Sequence, residues 1–174
     1  PMRKGRRFWL PIMKCSFNTS MWDLEHYKNN TAIIDEYGRT LTYQQFHEEC
    51  RKLAEAVGKR CLVFSLCENS MGSLLGYVGF LNNRIVPVML NSRLEEELLH
   101  NLLEAYCPAY LWVPAKQRDE YGNAVCVYEA YGYALMKMNY DREYPLHEDL
   151  ALLLTTSGST GSPKLVRQSY ENIL

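Results

Sequence analysis

The sequence predicts an α/β protein with an open, mostly parallel sheet and helices on both faces. Three apolar runs, at 61–66, 85–89 and 109–113, have the length of strands, and segments of helical length separate them. Uniformly apolar strands are typical of parallel sheets, which are covered on both faces. Their alternation with helices between residues 43 and 113 indicates right-handed β-α-β units, from which the fold class follows.

The first elements are short. Residues 21–30 predict a short helix, and 31–35 predict a strand that ends in a turn at Tyr37 and Gly38. Leu41–Tyr43 leads into a longer helix, whose apolar residues recur at three- and four-residue spacing and which Gly58 is placed to end. These apolar residues are Phe46, Cys50, Leu53, Ala54 and Val57.

Two more helices alternate with the apolar runs. Asn69 or Ser70 can cap a helix that continues to Leu81, and its Gly72-x-x-x-Gly76 spacing suits close packing against the sheet. Residues 93–105 predict the next helix, with leucines on one side and glutamates near its start.

After residue 113 the regular alternation of apolar strands and helices stops. We interpret 114–145 as connecting structure that contains short strands at 125–128 and 131–138. A strongly apolar strand follows at 150–155.

Composition narrows the class of partner. The chain has 19 Lys and Arg against 20 Asp and Glu, a formal charge of −1, which gives no electrostatic reason to expect nucleic acid. Its longest apolar stretch, Met71 to Leu81, is about half of what a transmembrane helix needs. The six cysteines form no C-x-x-C pair, as expected for free thiols in a reducing compartment, so we expect a cytoplasmic protein whose partner is a small molecule.

The N-terminus differs from the rest. A basic cluster between Arg3 and Arg7 precedes the apolar run Phe8–Met13, which is short, contains Pro11 and is stopped by Lys14. These features argue against a leader peptide. We therefore divide the chain into a basic extension or added residues at 1–20 and a partial domain at 21–174.

The strand at 150–155 runs into a Gly/Ser/Thr loop that is closed by a lysine. The two glycines allow successive backbone N–H groups to converge on an anion, the hydroxyls add donors, and Lys164 adds a mobile positive charge. The alternatives are an ordinary flexible turn and a Walker loop, but the glycines are too close together for the Walker spacing. The candidate phosphate-binding residues are Thr156, Ser157, Gly158, Ser159, Thr160, Gly161 and Lys164.

Residues Thr156 to Val166 resemble the signature phosphate loop of the acyl-adenylate-forming (AMP-binding) superfamily, which includes acyl-CoA synthetases, adenylation domains of peptide synthetases and luciferases. In two places the chain departs from the family pattern, with Leu165 where glycine is usual and Tyr170 where histidine is frequent. Weaker similarities occur at Leu41–Tyr43, Asn69–Ser70, Ile85–Val88, Cys107–Pro108 and Ser169–Leu174.

The resemblance implies the first part of a large N-terminal domain of an ATP-dependent carboxylate-activating ligase. ATP with Mg²⁺, a carboxylic acid, and a thiol acceptor such as CoA or phosphopantetheine would be its ligands. Family elements that bind adenine and supply a catalytic lysine would follow Leu174, so we assign no complete catalytic set or metal ligand and expect negligible ligase activity from this chain alone.

Two other interpretations remain open. One is a non-catalytic nucleotide-binding or assembly module that retains part of the fold, and the other is a folding unit without activity of its own. An incomplete domain would also expose apolar surface and a free sheet edge, through which the chain could self-associate.

Overall fold

A computed structural model describes residues 21–35, 37–156 and 164–173. The elements, in chain order, are β1 (Thr31–Ile34), β2 (Thr40–Thr42), α1 (Tyr43–Val57), β3 (Leu62–Cys67), α2 (Met71–Asn82), β4 (Val86–Asn91), α3 (Glu96–Tyr106), β5 (Tyr110–Pro114), a 3-10 helix (Ala115–Glu120), β6 (Val125–Ala130), β7 (Tyr133–Lys137), β8 (Leu150–Thr156), β9 (Lys164–Ser169) and α4 (Tyr170–Ile173).

Seven of the strands form one sheet in the order β6-β7-β5-β3-β4-β8-β9. Its four central strands, β5, β3, β4 and β8, run parallel, and antiparallel strands complete it on both sides. Helices α1 and α2 pack on one face and α3 packs on the other. The predicted fold class is therefore confirmed.

Helix α1 shows why the central elements were predictable. Thr42 caps its start in a reciprocal capping box with Gln45, which satisfies two backbone N–H groups. Gly58 ends it in the left-handed conformation, with φ of 78°. The buried side chains of the helix are Phe46, Cys50, Leu53 and Val57, all from the predicted apolar face.

Helix α2 lies close to the sheet because its glycines leave room for aromatic rings. A Cβ atom on Gly76 would lie 2.4 Å from the Trp112 ring, and one on Gly72 would lie 2.5 Å from the Tyr133 ring. The indole N–H of Trp112 donates to the carbonyl of Gly72 at 2.9 Å. The close packing predicted from the glycine spacing is confirmed.

Two expectations were wrong. Residues 21–30 form turns rather than a helix, because the Asp23 carboxylate accepts the backbone N–H groups of Glu25 and His26 at 3.1 Å. The region 114–145 does contain the two predicted short strands, but they belong to the main sheet as β6 and β7, so the interpretation as connecting structure was wrong. Tyr131 and Gly132, with φ of 49° and 75°, make the tight turn that joins them as a hairpin.

The buried thiol of Cys50 makes stability dependent on alkaline pH. Burial raises the pKa of Cys50 to about 12, against 9.0 for an unperturbed thiol. Because the unfolded chain releases this proton first, the free energy of unfolding should fall as pH rises above 9, by roughly 1.4 kcal/mol per pH unit from this group.

Denaturant titrations of the wild type and of Cys50→Ala measure this contribution. They run from about pH 8 to about pH 11, a range that brackets the ionisation of an unperturbed thiol. The variant should lose less stability over that range than the wild type. Cys126→Ala is the matched control, since Cys126 is exposed. Parallel decline in all three proteins would contradict the prediction.

Candidate phosphate-binding site

The candidate site lies at the tip of the β8–β9 hairpin. Strand β8 runs parallel to β4, with Val88 opposite Leu153, and β9 returns antiparallel to it. Thr156 and Lys164 are the last pair of this hairpin, opposite one another across the two strands. The structure therefore brings the first and last of the candidate residues together, where the parallel strands have their carboxyl ends.

The remaining candidates fall outside the described residues. These are Ser157, Gly158, Ser159, Thr160 and Gly161, which lie between Thr156 and Lys164 in sequence, and their role as phosphate donors stays a prediction. Lys164 itself is exposed.

The topology of the sheet favours ligand binding at this same edge. After β3 the chain turns to α2 on one face, and after the neighbouring β4 it turns to α3 on the other face. Such a switch point leaves a crevice beyond the strand ends, where ligands of open α/β sheets bind.

Two cavities flank the strand ends. One of about 530 Å³ lies at the start of α2, between Cys67–Ser70 and Met89. The other, of about 880 Å³, lies on the opposite face between Ser92, the α3 residues Leu99 and His100, and Tyr121. The residues that line these cavities were not predicted from the sequence, although each lining includes polar residues that directly follow a buried strand.

Tyr133 fixes the turn between β3 and α2. Its hydroxyl donates to the carbonyl of Leu66 at 2.9 Å and accepts the backbone N–H of Glu68 at 3.2 Å. Burial raises the pKa of Tyr133, which keeps the phenol protonated and able to donate. The edge of the crevice is thus held by a side chain 65 residues away in sequence.

The described residues do not provide a metal centre made of protein ligands. Within 21–35, 37–156 and 164–173, no group of three or more His, Cys, Asp or Glu is placed to hold an ion.

The base of the hairpin, at the other end from the loop, is fastened to the rest of the sheet. The Arg60 guanidinium donates to the carbonyls of His147 and Leu150 at 2.7 and 2.8 Å, and also to that of Arg84. Arg84 stacks over the Tyr170 ring at 4.1 Å, and the Tyr170 hydroxyl donates to the carbonyl of Leu81 at 3.3 Å.

The described residues thus form an open α/β sheet whose β8–β9 hairpin extends to the carboxyl edge, the edge at which ligands of such sheets bind. The chain belongs to the AMP-binding enzyme family, whose model matches residues 21–174.

Solved structures of adenylate-forming enzymes share the fold. O-succinylbenzoate coenzyme A synthetase (MenE) from Bacillus subtilis, in complex with AMP, is 22% identical over 82% of this chain and 39% of its own, with a TM-score of 0.61. Apo MatB from Rhodopseudomonas palustris is 19% identical over 84% of this chain and 33% of its own, with a TM-score of 0.66. The fatty acyl-adenylate ligase from L. pneumophila, in complex with acyl adenylate and pyrophosphate, is 19% identical over 88% of this chain and 31% of its own, with a TM-score of 0.61.

The chain spans 31 to 39% of the length of these three structures. A search of curated proteins found no match. None of the helices in the described part of the chain has the length and apolar character to span a membrane.

Proposed function

We propose that this chain is the N-terminal segment of an ATP-dependent carboxylate-activating ligase and that its hairpin loop binds the ATP phosphates. The observation that carries the proposal is the pairing of Thr156 with Lys164, which sets both ends of the Gly/Ser/Thr loop at the carboxyl edge of the sheet. Membership of the AMP-binding enzyme family supports it.

The proposed reaction has two steps. A carboxylate oxygen of the acid attacks the α-phosphorus of ATP, and the bond between the α-phosphorus and the bridging oxygen breaks to release pyrophosphate. A thiolate of CoA or a phosphopantetheine then attacks the acyl carbon, and AMP leaves with the electron pair of its bond to that carbon.

The loop would act in the first step. As the bond to pyrophosphate breaks, negative charge grows on the departing oxygens, and donors that already point at those oxygens stabilise it without further reorganisation. Backbone N–H groups and hydroxyls between Thr156 and Lys164 are the proposed donors, and the ammonium of Lys164 is the proposed positive charge. Mg²⁺ carried with the ATP would neutralise part of the same charge.

The acid and the acceptor thiol are proposed by class only. Residues that line an acyl pocket would belong to the longer ligase, so fatty, aromatic and amino acids remain candidates. A cytoplasmic location is part of the proposal and is supported by the free, buried thiols of Cys50 and Cys61.

Exchange of labelled pyrophosphate into ATP tests the proposal. In the longer ligase that contains this chain, we expect exchange that depends on adding one class of carboxylic acid. The 174-residue chain alone should give background exchange, because it spans about a third of the enzymes that share its fold.

The result also decides between the proposal and a non-catalytic module. If the longer protein binds ATP but no fatty, aromatic or amino acid stimulates exchange, the protein is a non-catalytic nucleotide-binding module and the ligase proposal is wrong. Exchange clearly above background with the 174-residue chain alone would show that the segment carries a complete site.

A further inference from the structure

We propose that Leu165 and Tyr170 are positioning residues that fix the register of β9 against β8 and thereby set the face of the sheet on which Lys164 lies. The inference rests on the proposed function only in the role given to Lys164. Its basis is the geometry of the hairpin itself.

The hairpin contains a break in register close to its base. Leu150 pairs with Ser169, but the next pair is Leu152 with Gln168, so Ala151 is an extra residue on β8. Strand β8 therefore accommodates an extra residue. A slip of the whole of β9 by one residue would put Thr155 instead of Thr156 opposite Lys164, and it would shift Ser169 and Tyr170 along β8 as well.

The two registers place Lys164 on opposite faces. In the observed register the exposed residues Leu154 and Val166 form a pair, and Lys164 shares their face because residues two apart in a strand share a face. A slip of one residue would move every side chain of β9 to the other face. Lys164 would then lie on the α3 face of the sheet.

Leu165 opposes the slip from the α3 face. It pairs with Thr155, and its side chain packs against the core cluster formed with α3, which includes Leu153. After a slip, the Leu165 side chain would leave this core, and the side chains of the residues next to Leu165 in β9 would face the core instead. One of those neighbours is Lys164, whose charge is costly to bury.

Tyr170 opposes the slip from the other face and from the other end of β9. The residue is 9% exposed and belongs to the cluster that contains Leu81 and Leu152. Its backbone N–H donates to the carbonyl of Asp149 at 3.0 Å, and its hydroxyl donates to that of Leu81. A shift of β9 along β8 would pull this ring out of its contacts.

The contacts of Tyr170 extend to both strands of the hairpin. Arg84, which stacks over the Tyr170 ring, supplies one of the carbonyls to which Arg60 donates, and Arg60 also holds the first residue of β8, Leu150. The start of β8 and the end of β9 are therefore tied to the same turn between α2 and β4. Among the described strands, β9 pairs only with β8. The side-chain contacts of Tyr170 therefore add to the single set of backbone hydrogen bonds that holds β9 in the sheet.

Two pairs of introduced cysteines can report the register. Leu154→Cys with Val166→Cys places thiols directly opposite in the observed register, whereas Thr155→Cys with Lys164→Cys does so only after the slip. The experiment uses the 174-residue chain, a short bifunctional thiol reagent and peptide mass spectrometry, which separates the introduced pairs from native cysteines.

In the wild-type background the first pair should cross-link and the second should not. In Leu165→Ala/Tyr170→Ala, cross-linking of the first pair should fall by about twofold or more while the second pair gains, because both registers become populated. The single variant Tyr170→Phe, in which Leu165 is intact, keeps the ring under Arg84. It should therefore show the wild-type cross-linking pattern.

Two controls separate positioning from general stability. Val57→Ala weakens the core cluster at α1, which contains neither Leu165 nor Tyr170. Tyr110→Phe removes another buried hydroxyl that donates to a helix carbonyl, that of Val57. Neither should change the cross-linking pattern. Unchanged patterns in the double variant, or a fall in the first pair without a gain in the second, would overturn the inference. Since no nucleotide is present, the outcome is independent of the proposed function.

Discussion

Replacing Gly76 with alanine is expected to destabilise the fold by about 3 kcal/mol, since overpacking a closed core forces its neighbours to move. The added Cβ would lie 2.4 Å from both Cδ1 and Nε1 of Trp112, a side chain that is fully buried. Displacing the indole would also weaken its hydrogen bond to the carbonyl of Gly72. Urea denaturation followed by tryptophan fluorescence measures the loss.

Gly122→Ala is the matched control, because no heavy atom lies within 4 Å of a Cβ added there. Its stability should stay within about 0.5 kcal/mol of the wild type. Equal unfolding midpoints for the two variants would show that α2 can move away from the sheet at little cost.

Replacing Lys164 with alanine is expected to reduce acid-dependent pyrophosphate exchange in the proposed longer ligase by roughly a hundredfold, the effect typical of losing one preorganised donor to a growing charge. Lys164 closes the hairpin loop opposite Thr156 and is exposed, so its removal should leave the folded state intact. Exchange kinetics at saturating acid, with circular dichroism as a check on folding, make the measurement.

The control is Lys59→Ala. Lys59 is also exposed and is paired with Glu143, but it precedes β3 and therefore lies at the opposite edge of the sheet. Its loss should leave exchange unchanged. Similar losses in both variants would point to a general electrostatic effect and would remove Lys164 from the proposed site.

The central elements could be predicted because local signals agree there. The capping pair of Thr42 and Gln45, the periodic apolar residues of α1 and the uniformly apolar strands all specify the same structure over a few residues. The candidate loop was also found from local signals, because glycines, hydroxyls and a lysine lie within nine residues of sequence, Thr156 to Lys164, and its phosphate-binding chemistry stays a prediction.

The contacts that hold the edge of the crevice and the hairpin could not be predicted, because they join residues that are distant in sequence. Tyr133 reaches Glu68 across 65 residues, and Arg60 reaches the carbonyl of His147 across 87. Nothing local marks either residue as the support of a turn or of a hairpin. The strand at 125–128 was predicted, but its place in the main sheet was not. Its exposed Val125 and Val127 belong to an edge strand, whose place in a sheet is decided by its neighbour.

The position of β8 between β4 and β9 also has a consequence for synthesis on the ribosome. Strand β4 carries the fully buried Val86 and Val88, and its second neighbour is encoded about sixty residues later, in β8. During translation this apolar strand is an unpaired edge, the kind of surface that recruits chaperones or aggregates. The edge of β4 therefore stays open while the ribosome adds the hairpin β6–β7, and pairing with β8 closes it.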